Sequence, residues 1–213
     1  MDKQTPVPRQ RDAERSRQAI LSAAREEFAA YGLGGARVER IAERADVNKR
    51  LLYYYFDNKE TLFRAVLEDT YLRIREAERQ LHLTDLPPAL AVRKLTEFTW
   101  NYYLANPEFL TLLNSENLHR ARHLLQSRSA QALNSPLIQT LGEVLERGRA
   151  SGVFRAGVDP LQLYISIAGL SYFYLSNNHT LSAIFNRELM SPQAREERLA
   201  HICDVILGYL RPD

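Results

Sequence analysis

The chain has 213 residues, 45% of them hydrophobic, and 28 Lys and Arg against 26 Asp and Glu, for a formal charge of +2. That apolar share excludes a disordered chain, and no apolar run reaches membrane-spanning length, so one domain or two small ones in a soluble, cytoplasmic protein is expected. So small a charge excludes sequence-blind coating of nucleic acid, which scales with the phosphates neutralised, while the single cysteine, Cys203, excludes an internal disulfide framework.

Residues 1–10, with Thr5-Pro6-Val7-Pro8, read as a flexible arm, its Lys3 and Arg9 within reach of DNA or simply solvated. A helix follows and ends at Gly32-Leu33-Gly34-Gly35. These glycines come after a helix rather than a strand, so they terminate it and do not cradle a phosphate. Val38, Ile41, Ala42 and Ala45 recur at spacings of three and four, one apolar stripe, with Glu39, Arg40, Glu43 and Arg44 opposite. The turn Ala45-Asp46-Val47 needs a left-handed residue, which Asp46 tolerates. Asn48 then sits at an N-cap position, able to accept from the amide of Arg50 or Leu51.

In the short helix after it, Val47, Leu52 and Phe56 face the core while Lys49, Arg50, Tyr53 and Tyr54 face outward. No acid lies between Val47 and Phe56, and three consecutive tyrosines cannot share one buried face. A tyrosine pair aimed at a phosphate backbone explains them, each offering a hydroxyl donor and a flat apolar surface. Asn58 caps the next helix, whose free amides together with Lys59 make a phosphate clamp.

Beyond Asn58 the pattern is helical throughout. One helix spans about Lys59 to Leu81, and another opens at Pro87-Pro88 and ends near Asn106-Pro107. A polar-rich helix covers roughly Pro107 to Gln126, with a break at Asn134-Ser135-Pro136. The next stops at Ser151-Gly152, one runs from Asp159-Pro160 to about Asn177, and the last from Ser191-Pro192 to Arg211-Pro212. Leu161, Ile165, Ala168, Tyr172 and Leu175 form one apolar stripe, and Leu199, Ile202, Cys203, Ile206 and Leu210 another. One short reading helix covers too few base pairs alone, so these two helices are expected to pair with those of a second copy in a four-helix bundle.

Trp100, Asn101, Tyr103, Glu116, Asn117, His119, His123, Tyr172 and Asn177 combine aromatic surface with sparse polar groups, the mixture of a small-molecule cavity. His119 and His123, four apart near Glu116, suit a metal only if Arg120 and Arg122 are ignored, so no metal and no cofactor is expected. No nucleophile or acid–base pair stands in a recognisable setting, and an enzyme is not expected.

The run I-A-E-R-A-D-V-N-K-R-L-L-Y-Y-Y-F-D-N-K-E-T-L-F resembles the DNA-binding signature of the TetR family of bacterial transcriptional regulators. The likeness begins near Arg11, includes the helix ending in F-A-A-Y-G, and fades after Phe63. It implies an all-α chain: a three-helix helix-turn-helix domain whose third helix enters the major groove, then a larger helical ligand-binding and dimerisation domain. The implied partners are a double-stranded DNA operator, a second copy in a homodimer and a small-molecule effector. Carried over by position, Asn48, Lys49, Arg50 and Leu51 lie nearest the bases, while Arg37, Tyr53, Tyr54 and Lys59 hold phosphates. Two departures stand out. Ala36 replaces the usual Thr or Ser, removing a helix cap and a phosphate contact that Arg37 would take over, and Asp46 replaces the turn glycine. Leu51 either meets a thymine methyl or packs.

The segment W-N-Y-Y-L-A-N-P-E-F-L-T-L-L-N-S-E-N-L-H-R is similar to a subgroup that includes regulators of pyrimidine and nicotinate catabolism. That likeness implies small, planar heteroaromatic effectors, anionic ones among them. The expectation is a ligand-responsive repressor on a palindromic operator, with an arm (1–10), a DNA-binding domain (11–57) and an effector-binding and dimerisation domain (58–213). The alternatives are a helical DNA-binding protein without an effector, or a metal-dependent sensor built on His119 and His123.

Overall fold

The computed structural model describes residues 8–212, with side chains described over 12–127 and 136–212. The regular structure of the described residues is ten α-helices and two 3₁₀ turns: α1 (Pro8–Gly35), α2 (Val38–Arg44), α3 (Lys49–Phe56), α4 (Lys59–Arg79), α5 (Pro88–Ala105), α6 (Pro107–Leu118), α7 (Arg128–Ala150), α8 (Pro160–Ser176), α9 (Asn178–Phe185) and α10 (Pro192–Leu210). Two compact units result. The first combines the described part of Met1–Tyr71 with Thr111–Ala130, and the second combines Leu72–Leu110 with the described part of Gln131–Asp213.

Local chemistry sets most helix starts. Asn48 Oδ1 accepts from the Leu51 amide at 2.9 Å and Asn58 Oδ1 from Thr61 at 2.8 Å. Asp159 accepts from Leu161 and Gln162 ahead of Pro160, and Ser191 Oγ accepts from Ala194. Asp46, at φ 53°, takes the positive φ expected of the turn, and Asp57 also has a positive φ, 57°, but with ψ −59°. In the first unit α1 packs on α2 and α3 around Ile20, Phe28, Ile41, Leu52 and Phe63, all fully buried, with the Phe28 and Phe63 rings edge to face at 5.0 Å.

In the second unit α5, α8 and α10 pack together around Leu95, Trp100, Ile167, Ile202 and Leu210. Of the α10 stripe, Ile202, Cys203, Ile206 and Leu210 are core, as their spacing predicts, and Leu199 is half-buried. On α8 the buried face is instead Leu163, Ile167, Ser171 and Leu175, leaving Leu161 and Ile165 half exposed. This helix is apolar nearly all round, so periodicity alone cannot choose the face that turns inward.

Three elements differ from the sequence reading. First, α6 stops at Leu118 rather than running to Gln126. Arg120 and Ala121 are both left-handed, and the buried Glu116 carboxylate accepts the amides of His123 and Leu124 at 2.8 and 3.0 Å. Hydrogen bonds to a charged group are worth about 1.5–3 kcal/mol each, enough to offset about 1–2 kcal/mol per left-handed residue. Second, α7 passes through Pro136 instead of breaking there. A proline inside a helix costs about 3 kcal/mol. Burial of Leu137, Leu141, Val144 and Leu145 beyond it returns about 1.5–3 kcal/mol for each side chain. Third, α9 was not foreseen. Its apolar residues Leu181, Ile184 and Phe185 share a face but make too short a run to mark a helix, none of them is buried, and left-handed Asn186 ends it.

Glycine at position 148 lets the Phe154 ring lie directly on α7, where a Cβ would collide with it. Gly148→Ala is therefore expected to lose about 1–3 kcal/mol in urea unfolding. A midpoint equal to the parent's would contradict this packing.

Candidate nucleic-acid interface

The second helix begins without the cap that Ala36 fails to supply. Its N-cap residue is Arg37, extended at φ −120°, with no side-chain cap bond. Glu27, reaching from α1 and fully buried, does the work instead. Its Oε1 accepts the Arg37 amide at 3.0 Å and Arg40 Nε at 2.7 Å, while Arg40 Nη2 pairs with it and Arg44 lies at 3.9 Å. Arg40 also donates to the Gly35 carbonyl and stacks on Tyr31, 4.3 Å from its ring centre. Burial opposes ionisation of Glu27, yet the bonds from Arg40 and the Arg37 amide and the two arginine charges prevail, holding the carboxyl below its ordinary value. The sequence signal was a charged residue at a helix position whose neighbours Ala23, Ala24 and Phe28 are core.

With α2 held this way, the turn delivers α3. Leu52 and Phe56 face inward, Val47 and Leu51 are half-buried, and Lys49, Arg50, Tyr53 and Tyr54 face solvent. Tyr54 is the most projecting at 80% exposure, its ring braced edge-on by Tyr55 at 5.4 Å. Arg50 makes no ion pair among the described residues, whereas Lys49 Nζ sits 2.5 Å from Glu39 Oε1 on α2. Lys59 Nζ donates to the Ala36 carbonyl at 3.3 Å, which leaves two of its three donors for a phosphate. Arg37 is exposed at the start of α2. A cation, phenol hydroxyls and helix-start amides on one short rigid element form an arrangement chemically suited to a polyanion.

The residues expected around an effector cavity are dispersed. Trp100 and Tyr103 are core aromatics, against Tyr174 at 5.6 Å and stacked on Phe109 at 5.4 Å. Asn101 is exposed and shares only a shallow cleft with Trp100 and α10. Tyr172 is half-buried, and Asn177 Nδ2 donates to the Phe173 carbonyl. Glu116 and His123 belong to the first unit, paired at 2.6 Å through Nδ1, with the His123 ring edge-on to Phe63. His119 Nδ1 bonds the Ser115 carbonyl and Asn117 is exposed. Aromatic and polar composition identifies such residues but not the helix faces they occupy, so one cavity does not follow. No group of three or more metal-ligating side chains occurs among the described residues, and no described helix is long and apolar enough to cross a membrane.

Glu27→Ala is expected to cost about 1–3 kcal/mol. A folded carboxyl below its ordinary value stabilises fully above that value, near 4.5, and loses the contribution as pH falls through the folded value. The stability gap between parent and variant should thus be largest above about pH 5 and close towards about pH 3. Urea titrations across that range measure it, and a gap independent of pH would rule out the ionised carboxylate as the cap.

Residues 20–66 match the family of bacterial regulatory proteins, tetR family, and residues 88–206 match the tetracyclin repressor-like, C-terminal domain. The HTH-type transcriptional repressor NicS of Pseudomonas putida is 41% identical over 203 residues, 95% of this chain and 96% of its own. The HTH-type transcriptional regulator RutR of Escherichia coli is 28% identical over 98% of this chain and 96% of its own. Among solved structures, SCO4942 from Streptomyces coelicolor, described as a transcriptional regulator, superposes with a TM-score of 0.70 at 25% identity, over 92% of this chain and 99% of that one. These matches cover both parts of the molecule, and the chain belongs to the tetR family of bacterial regulatory proteins, a DNA-binding transcriptional regulator rather than an enzyme.

Proposed function

We propose that the protein represses transcription as a homodimer on a palindromic operator and leaves it when a small effector binds. The observation that carries this reading is the outward face of α3, where Arg50, Tyr53 and Tyr54 stand exposed on a helix fixed from behind by Leu52 and Phe56. Residues 11–57, with Lys59 just beyond them, supply the DNA contacts, and the rest of 58–213 supplies the dimer and effector contacts. In this reading Asn48, Lys49, Arg50 and Leu51 approach base edges, and Arg37, Tyr53, Tyr54 and Lys59 hold phosphates.

Dimerisation is supported by the apolar surface of α8 and α10. Leu161, Ile165 and Phe173 on α8 and Val205 and Tyr209 on α10 are all more than two-fifths exposed, and Gly169 between them leaves open space at its Cβ position. A self-complementary apolar face of this kind suits a twofold axis, which a palindromic site mirrors. An effector that favours a spacing of the two α3 helices unsuited to successive major grooves then releases the operator. Coupling of this kind is reciprocal, so operator DNA weakens effector binding by the same factor.

Binding of the full chain to a randomised operator library tests the assignment of roles. Arg50→Ala should relax preference at one or two base pairs, a loss of about 1–3 kcal/mol for the favoured site. Tyr54→Phe and Lys59→Ala should weaken all sites alike, Lys59→Ala lowering the salt slope by about one. If Arg50→Ala kept the parental base preferences, its role as reader would be refuted.

The dimer is tested separately. Ile165→Glu combined with Val205→Glu should yield a helical monomer in sedimentation, with operator affinity reduced by roughly 100-fold or more. A variant that sediments as the parent does would move the interface elsewhere.

A further inference from the structure

Within the second unit, the C-terminal turns of α4 and the middle of α7 enclose a cavity of about 160 Å³. Arg75, Glu78, His82, Leu83, Leu137 and Thr140 line it. Its chemistry is unusual for a helix surface. Arg75 and Glu78 are buried, 4% and 3% exposed, and pair at 2.5 Å. Arg75 Nη2 donates to the Tyr164 hydroxyl of α8 at 2.6 Å, while its Nε, also buried, has no hydrogen-bond partner among the described residues. A guanidinium has five donors in a fixed fork, and leaving them unmet in a low-dielectric site is costly. One carboxylate and one phenol do not exhaust this fork.

The charge is also incompletely balanced. Burial lifts the Glu78 carboxyl to about 7, the neighbouring Arg75 pulling it back only in part. Burial likewise opposes the charge on Arg75, but Tyr164 and Glu78 outweigh it and the guanidinium stays charged. Burial thus favours the protonated form of Glu78, which leaves the Arg75 charge unbalanced. Among the described residues no second acid lines the cavity, and α7 contributes Pro136, Leu137 and Thr140 to its wall. Arg79 at the rim is paired with Glu76 outside.

Size narrows the ligand. A cavity of about 150 Å³ holds one benzene ring. This one, open on one side, matches the volume of a single six-membered ring.

We propose that this cavity takes a single-ring monocarboxylate, its carboxylate bonded by the Arg75 guanidinium and its ring against Leu83 and Leu137. A protonated Glu78 releases one of the guanidinium donors to the ligand and offers its own O–H to the incoming carboxylate. Assigning such a ligand as the effector rests on the effector-controlled reading above; binding at the cavity does not.

Calorimetry on the full chain, with benzoate and the three pyridinecarboxylates as probes, tests it. At least one should bind saturably, once per chain, with benzamide and 1-naphthoate at least tenfold weaker. Because the ligand stays ionised while Glu78 loses its proton, affinity should fall, approaching tenfold per pH unit, above about pH 7. The other groups around Glu78 are Arg75 and Arg79 on α4, His82 in the following turn and Tyr164 on α8. Glu78→Gln isolates its part: binding should persist and the pH dependence flatten. Arg75→Met should abolish binding, and Thr140→Phe, which fills the cavity without touching the ion pair, should do so in a protein of parental stability. Absence of saturable binding by all four carboxylates overturns the proposal, as does undiminished binding in Thr140→Phe. Anisotropy of labelled operator separates the two readings. Carboxylates that bind as described but leave the operator bound support the cavity and remove the effector reading. Operator released by other molecules, with none of these binding, removes the cavity and keeps the effector reading.

Discussion

A carboxylate sealed beneath the first turn of α2 sets the position of that helix and of the outward face of α3 that follows it. Glu27 arrives from α1 at the point where the chain has just left that helix, and it takes the Arg37 amide and the Arg40 side chain together. Removing a carboxylate from water costs several kcal/mol, recovered only when its lone pairs are well met. The Arg37 amide and Arg40 meet Oε1, while buried Oε2 has no hydrogen-bond partner and is offset only by the Arg44 charge 3.9 Å away; the Oε1 bonds fix the angle at which α2 starts. The Asp46 turn and the Asn48 cap then carry that angle to α3, so the outward side chains inherit their direction from a residue that never reaches the surface.

Buried acids recur in this molecule, and their surroundings give them different characters. Glu27 is surrounded by cations and an amide and stays ionised. Glu116 spends its oxygens on two backbone amides and the His123 ring, so it serves as a folding element that closes the chain after α6. Glu78 is bonded by one guanidinium, that of Arg75, and burial dominates, leaving it able to exchange a proton near neutrality. One side-chain type thus acts as anchor, as loop clasp and as titrating group, according to the number and kind of donors within reach.

What the sequence made legible was local. Asn48, Asn58 and Asp159-Pro160 announce helix starts because a cap acts over three residues, and the alternation of Leu52 and Phe56 with Tyr53 and Tyr54 separates inside from outside at the helical period. What stayed hidden depends on reach or on choice of face. Glu116 bonds amides seven and eight residues ahead, which no periodicity records. Glu27 caps a helix ten residues away. Leu161 and Ile165 look like core on a helix apolar all round, and the stripe of α9, Leu181, Ile184 and Phe185, is one turn long and unburied. Arg75 and Glu78 read as one more exposed i, i+3 pair in the charged run R-I-R-E-A-E-R, since burial by α7 and α8 is a tertiary fact. The aromatic and polar residues expected around one cavity were dispersed for the same reason: composition was visible and facing was not.

The pairing of Lys49 with Glu39 alters how this surface should respond to its medium. Each cation that meets a phosphate ordinarily releases a condensed counterion, and the number released sets how steeply affinity falls with salt. Lys49 arrives already neutralised by an acid of its own chain. Any groove contact it makes is an exchange of one partner for another and adds less to the ionic-strength dependence than its charge implies. Glu39, once displaced, is left as a negative charge beside the duplex, repelled unless a base offers Lys49 more than it gave up. A built-in counterion of this kind lowers the background of indiscriminate binding, and so lets a chain of almost balanced charge distinguish one site among many.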